Sequence, residues 1–216
     1  MIEHLVRPLY QKHLVNPLAN LLGSRVDANH ITWVSGVLGI LVFPALFLHQ
    51  IMLAISLLLL SGYCDTLDGT LARFNHNTSD WGSALDITID RLVEWMVVFA
   101  LWSVAPTERG FWCLLMLGSM LLCITSFLVV GIFSTNHSQK SFHYSPGLME
   151  RAEAFSFFIL MMLWPQAFGF LAFLFTVLVT LTAMIRLVQF RNQYRAPYPK
   201  QTDEHTANSL KQDEPI

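Results

Sequence analysis

Charge is scarce in this chain: Asp, Glu, Lys and Arg make up 13% of its 216 residues, where a soluble domain carries about a quarter. Hydrophobic residues reach 54%, and several apolar runs approach or exceed the ~17–25 residues that a helix needs to cross a bilayer. A water-soluble globule is therefore a poor reading. Positive charge is not in excess either. The formal net charge of -2 offers no global field for a nucleic-acid partner, so none is expected. Cysteine is rare, and Cys64, Cys113 and Cys123 lack metal-ligand spacing and sit among apolar neighbours, as helix-packing residues do. A cleavable signal peptide is not expected. Residues 1–23 carry Glu3, Arg7, Lys12, Pro8 and Pro17 instead of a basic start followed by one apolar core.

What is present is organised as an all-α integral membrane protein. Residues 1–23 space Ile2, Leu5, Leu9, Leu14, Leu18 and Leu21 as one helical face, predicting an amphipathic segment that lies in the interface or packs over a bundle. Pro8 suits a helix start and Pro17 a kink. Six transmembrane helices are expected next: about Thr32 to Leu48, Ile51 to Phe74, Gly82 to Val104, Phe111 to Phe133, Arg151 to Trp164 and Phe168 to Phe190. Residues 24–192 thus form one membrane domain, and 193–216 a polar tail expected to be disordered near its end. Helices suit this environment because they satisfy their own backbone polar groups in lipid.

Basic residues set the expected orientation. With both termini inside, the cytosolic side receives Arg7, Lys12, Arg25, Lys140, Arg191, Arg195, Lys200 and Lys211, and the short loops opposite receive only Arg109. The loop from Asn75 to Asp80 then faces the cytosol too, on the side that holds soluble nucleotides and divalent metal.

Four aspartates stand out against this apolar background. Asp65 and Asp68 are three residues apart and share a helix face; Asp86 and Asp90 are four apart on the next helix. A short antiparallel turn would set the two pairs opposite each other. Such carboxylates repel unless cations neutralise them. An oxygen-only donor set favours Mg2+ or Mn2+ over zinc, and two such ions about 4 Å apart would clamp a diphosphate. Gly69 and Ala72 continue the first acidic face without bulk, leaving room for a ligand. Asp80 reads as a solvated carboxylate, Arg73 as a cation snorkelling at the cytosolic edge, and Gly82 as a helix-packing residue.

The stretch D65-T-L-D68-G69-T-L-A72-R73, eight residues, then G82-S-A-L-D86-I-T-I-D90 resembles the signature of the CDP-alcohol phosphatidyltransferase family. Every fixed position of that signature is present. The resemblance implies metal ligation by Asp65, Asp68 and Asp86, with Asp90 completing the metal environment or serving as general base. It places Asp68, Gly69, Ala72, Arg73 and Gly82 around the cytidine nucleotide. Asn29 and Thr32 are similar to the family's N-x-x-T element, although helix capping explains them as well. The implied reaction is transfer of a phosphatidyl group from CDP-diacylglycerol to a small polar alcohol, free or phosphorylated, with release of CMP. The same motif also serves transfer of a CDP-linked headgroup to diacylglycerol. A metal-ion transporter is the reading from another class, against which the carboxylates gather at one edge with no path across. Family resemblance also suggests a homodimer.

Acceptor contacts are expected from Lys140, His143, Tyr144, Arg151 and Glu153, on and after the longest internal loop. This loop and the chain length resemble a bacterial phosphatidylglycerophosphate-synthase-like branch. Arg91, Glu94 and Arg186 are further charges within predicted spans, where mutual pairing competes with substrate contact. His30, His76 and His137 read as solvated or capping residues, and the six tryptophans as interfacial or core residues.

Overall fold

A computed structural model describes residues 10–23, 26–75, 78–135, 149 and 151–195. Within them the chain forms seven α-helices: α1 Asn16–Leu22, α2 Ala28–Phe47, α3 Ile51–Phe74, α4 Asp80–Val104, α5 Pro106–Thr135, α6 Arg151–Leu163 and α7 Phe168–Arg195. A π-helical turn, Gln11–Val15, leads into α1, and a 3-10 turn, Pro165–Ala167, leads into α7. The π turn precedes Pro17, which lacks an N–H and cannot continue the regular ladder. Asn16 instead donates back to the Gln11 carbonyl. Pro8 lies outside the described residues.

The all-α expectation holds, but the count of six spans is corrected. Among the described residues four helices are long and apolar enough to cross a membrane: Ala28–Phe47, Ile51–Phe74, Pro106–Phe133 and Pro165–Asn192. The third expected span, α4, has the length but carries Asp80, Asp86, Asp90, Arg91 and Glu94. The fifth, α6, has 13 residues; at ~1.5 Å per residue it covers roughly 20 Å, short of a ~30 Å hydrocarbon core.

Local signals explain the boundaries near the acidic residues. Asp27 caps α2 by accepting from the Asn29 N–H at 3.1 Å, so the helix starts before Thr32 and takes Asn29 and Thr32 into its first two turns. Ser79 caps α4, its Oγ accepting from the Gly82 N–H at 3.0 Å. That cap starts α4 at Asp80, putting a carboxylate in the first turn, where the helix dipole favours it.

Helices α2, α3 and α4 pack as a close trio. The Ser35 hydroxyl donates to the Ser61 carbonyl and the Ser61 hydroxyl to the Ser35 carbonyl, each at 2.9 Å. Gly36 and Gly39 let α2 meet α4: a Cβ at Gly36 would fall 3.0 Å from Ile89 Cγ2, and one at Gly39 2.7 Å from Val93 Cγ1. Gly62 of α3 likewise admits the Phe155 ring of α6. The other packed pair is α5 with α7, and α6 touches α3, α4 and α7. Val15 and Ala19 are buried with Leu67 and Leu71 of α3, so the amphipathic segment rests on the bundle through one face. Leu14 and Leu21 point outward.

Candidate active site

Helical spacing puts Asp65, Asp68, Gly69 and Ala72 on one side of α3, and the capped start of α4 brings Asp86 against them. One carboxylate oxygen from each of Asp65, Asp68 and Asp86 lies within 4.8 Å of the other two. Asp68 is buried, and its Oδ2 accepts a 2.6 Å hydrogen bond from Thr32 Oγ1. That bond ties the first turn of α2 to the acidic face of α3. Asp86 Oδ1 is buried without a hydrogen-bond partner among the described residues, and burying such an oxygen is costly unless something else meets it. Three converging carboxylates, one with an unsatisfied oxygen, fit a hard divalent cation.

Asp90 lies one turn farther along α4. Its Oδ1 pairs with Nη1 of Arg151, which also pairs with Asp65 Oδ1. Arg151 opens α6 and lays its guanidinium 5.2 Å from the Phe155 ring centroid, so one cation joins α3, α4 and α6.

Two cavities meet at the cluster. The smaller, about 170 Å³, is lined by residues that include Asn29, Thr32, Asp68, Ala72 and Gly82. The larger, about 740 Å³, has walls that include Tyr10, Leu59, Leu60, Tyr63, Arg151 and Phe155. Gly69, Arg73 and Asp86 line both. Small side chains keep the first cavity open: a Cβ at Gly82 would come within 3.2 Å of Asn29 Oδ1 and 3.1 Å of Ser79 Oγ.

The sequence model described as CDP-alcohol phosphatidyltransferase matches residues 25–189, a span that contains both acidic pairs. The chain belongs to this family. It is an enzyme that transfers phosphatidyl groups. Inner membrane protein YnjF of Escherichia coli is 31% identical over 172 residues, covering 75% of this chain and 82% of that protein. The phosphatidylinositol phosphate synthase of Cutibacterium acnes is 32% identical over 119 residues, 52% of this chain and 55% of that one. An archaetidylinositol phosphate synthase of Methanothermobacter thermautotrophicus is 26% identical over 68% of this chain and 70% of its own. The fold is also that of Mycobacterium tuberculosis phosphatidylinositol phosphate synthase in complex with manganese and citrate, with a TM-score of 0.67 at 18% identity over 82% of this chain and 89% of that one. The same enzyme with CDP-DAG bound gives 0.59 at 19% over 82% and 93%. The named synthases among these relatives are phosphatidylinositol phosphate and archaetidylinositol phosphate synthases, so the match is not specifically to the expected phosphatidylglycerophosphate-synthase-like branch. The acidic signature is common to the family and does not separate branches.

Within this phosphatidyltransferase the sequence-predicted residues are distributed unevenly. Asp65, Asp68 and Asp86 form the cluster, Asn29, Thr32, Gly69, Ala72, Arg73 and Gly82 line the small cavity, and Asp90 reaches the cluster through Arg151. Glu153 is half-buried on α6 and lines neither cavity. Lys140, His143 and Tyr144 lie outside the described residues, as do Arg25, His76 and His137. Arg91 pairs with Glu94 at 2.5 Å. Arg186 donates to the Cys123 carbonyl at 3.0 Å and to Ser126 Oγ at 3.1 Å. Sequence reasoning passed over Tyr10, Tyr63 and Phe155. Their signal was weak, since an aromatic residue lining a cavity looks like any other in an apolar chain.

Proposed function

We infer that the enzyme takes CDP-diacylglycerol as donor and a small polar alcohol bearing its own phosphate as acceptor, releasing CMP, in a bacterial inner membrane. The observation that carries this reading is the carboxylate cluster at the junction of a small cavity lined by short and polar side chains and a larger one lined by more aliphatic and aromatic ones. A cytidine headgroup suits the first, because Gly69, Ala72 and Gly82 leave its walls thin. The lipid part and the acceptor suit the second, whose apolar walls adjoin Arg151. Two of the relatives' names carry an inositol phosphate product, and YnjF is named as an inner membrane protein; both support the finer reading.

Asp65, Asp68 and Asp86 would hold divalent cations, two by expectation, with Asp90 completing their environment. When bound, such ions polarise phosphate oxygens and offset the charge that develops on CMP. Asp68, held by Thr32, keeps its carboxylate aimed at the cluster. Arg73 contacts the donor phosphates from its position over Gly69. Asp90 accepts the proton of the acceptor hydroxyl as its oxygen bonds to the phosphatidyl phosphorus and the bond to the CMP oxygen breaks. Arg151, bridging Asp65 and Asp90, sets that base beside the cluster and offers positive charge to the acceptor phosphate. The site faces the cytosol in this reading, as the basic residues near the termini favour.

Product mass spectrometry tests the reading. Purified protein is incubated with CDP-diacylglycerol, Mg2+ or Mn2+, and inositol phosphate, glycerol phosphate or serine in turn. A phosphorylated phosphatidyl product with stoichiometric CMP is expected. Product only from serine would overturn the phosphorylated acceptor, and product only from a CDP-alcohol plus diacylglycerol would reverse the donor assignment. Native mass spectrometry in detergent counts protomers for the proposed homodimer.

A further inference from the structure

The acidic face of α3 is one of two polar stripes on that helix. The other consists of Thr66, Thr70 and Arg73, and it turns toward the amphipathic segment. Thr70 is buried and its hydroxyl is fully engaged. It donates to the Thr66 carbonyl at 2.8 Å, accepts from Arg73 Nη2 at 3.3 Å and accepts from Gln11 Nε2 at 3.4 Å. One donor and two lone pairs are all that a hydroxyl has. Arg73 therefore does not extend freely. Its guanidinium folds back over Gly69, where a Cβ would lie 3.5 Å from Nη1, and it borders both cavities there.

The segment that supplies Gln11 is itself fastened to α3. Tyr63 donates to the Leu14 carbonyl at 3.0 Å and Asn75 to the Gly23 carbonyl at 3.1 Å. Val15 and Ala19 are buried against α3 between those ties. Gln11 is in the π turn, whose wider ladder sets the phase of the preceding side chains relative to α1. An arginine side chain left to itself samples many rotamers. Holding one Nη on a stiff, β-branched threonine leaves the rest of the guanidinium presented over Gly69.

We propose that Thr70 and Gln11 are positioning residues for Arg73, fixing its guanidinium over Gly69 at the junction of the two cavities, where the donor's phosphates pass. The proposal rests on the reading of Arg73 as a donor-phosphate contact. It gives the N-terminal segment a part in donor binding as well as a place on the membrane surface.

Binding of CDP-diacylglycerol to the full chain in detergent micelles, with Mn2+ held constant, provides the test. Thr70→Val keeps the shape and removes the hydroxyl; it is expected to weaken binding about tenfold, and Gln11→Leu about threefold, as loss of a hydrogen bond to a charged or neutral donor implies. Thr70→Ser restores the hydroxyl and is expected to bind within about twofold of the parent. In an Arg73→Ala background neither Thr70→Val nor Gln11→Leu should add a further loss. Asn75→Ala cuts a different tie of the same segment and should leave binding unchanged, which separates positioning of Arg73 from loosening of the strap. Unfolding temperatures confirm that each variant is folded. The proposal is overturned if folded Thr70→Val binds like the parent, if its effect multiplies with that of Arg73→Ala, or if Asn75→Ala reproduces it. If Arg73→Ala alone leaves binding unchanged, the donor-phosphate reading fails and takes the proposal with it; if Arg73→Ala weakens binding and Thr70→Val does not, the proposal alone fails.

Discussion

Helices α2, α3 and α4 meet through glycines and crossed serine hydrogen bonds, whereas α5 and α7 meet through arginines and aromatic rings. In the first group Gly36 and Gly39 sit directly on Ile89 and Val93, and Ser35 and Ser61 exchange hydroxyl-to-carbonyl bonds. In the second, Arg109 stacks 4.5 Å from the Phe168 ring centroid, and Arg186 stacks 5.3 Å from that of Phe127 while bonding to the Cys123 carbonyl. Close approach in the trio leaves little freedom for one helix to slide on another, because packed backbones and short side chains have few alternative fits. The carboxylates stand on that rigid part. Longer side chains at the α5–α7 contact satisfy buried cations on backbone carbonyls and π faces, and they bring no carboxylate cluster with them.

The difference can be broken first at the chemistry. Asp90→Asn is expected to lower transfer by about 1,000-fold while the protein remains folded, the scale of losing a general base; circular dichroism with CMP-release kinetics checks both halves. Near-parent turnover would sink the assigned role of Asp90. Chelation of divalent cations should likewise abolish CMP release, with recovery on adding Mg2+ or Mn2+. Recovery that saturates with two ions per chain in a titration would fix the expected load.

Packing gives the next largest contrast. Gly39→Ala places a methyl group in the Val93 side chain and should destabilise the detergent-solubilised protein by about 1–3 kcal/mol, as overpacking does. Gly118→Ala, on α5, meets nothing within 4 Å and should change the unfolding temperature little. Equal effects at the two glycines would remove the distinction between the two regions. A smaller effect than at Gly39 is expected at Arg109, whose Nη1 donates to the Leu101 carbonyl at 3.0 Å. Arg109→Met should cost about 1–2 kcal/mol of stability through the lost hydrogen bond and cation–π contact. Transfer rate should stay within about twofold, because the residue is in the first turn of α5, beside the end of α4 that is away from the acidic cluster.

Much of the site was legible because helical periodicity acts within one segment. Spacings of three and four put Asp65 beside Asp68 and Asp86 beside Asp90, and the turn between the helices made their meeting predictable. The count of spans was less legible. Hydropathy read along the chain treats α4 as a span interrupted by charge, and it counts Arg151 to Trp164 as a span although the sequence already shows that stretch to be short. Arg151 showed itself as a charged residue beside a predicted span, but nothing in its neighbours says that Asp65 and Asp90 are its partners. Thr66 and Thr70 were invisible for another reason. Threonine in a greasy helix ordinarily bonds its own backbone, as both do here, and the additional bonds come from a distant segment.

Composition, periodicity and the acidic signature by themselves determined an all-helical membrane chain with metal-type carboxylates on two neighbouring helix faces. Tertiary structure decided which of those carboxylates converge, which one is held by an arginine from a third helix, and how the N-terminal segment reaches Arg73. The reason is range: backbone geometry dictates the direction of side chains a turn apart, while the meeting of residues dozens of positions apart depends on how closely whole helices can approach.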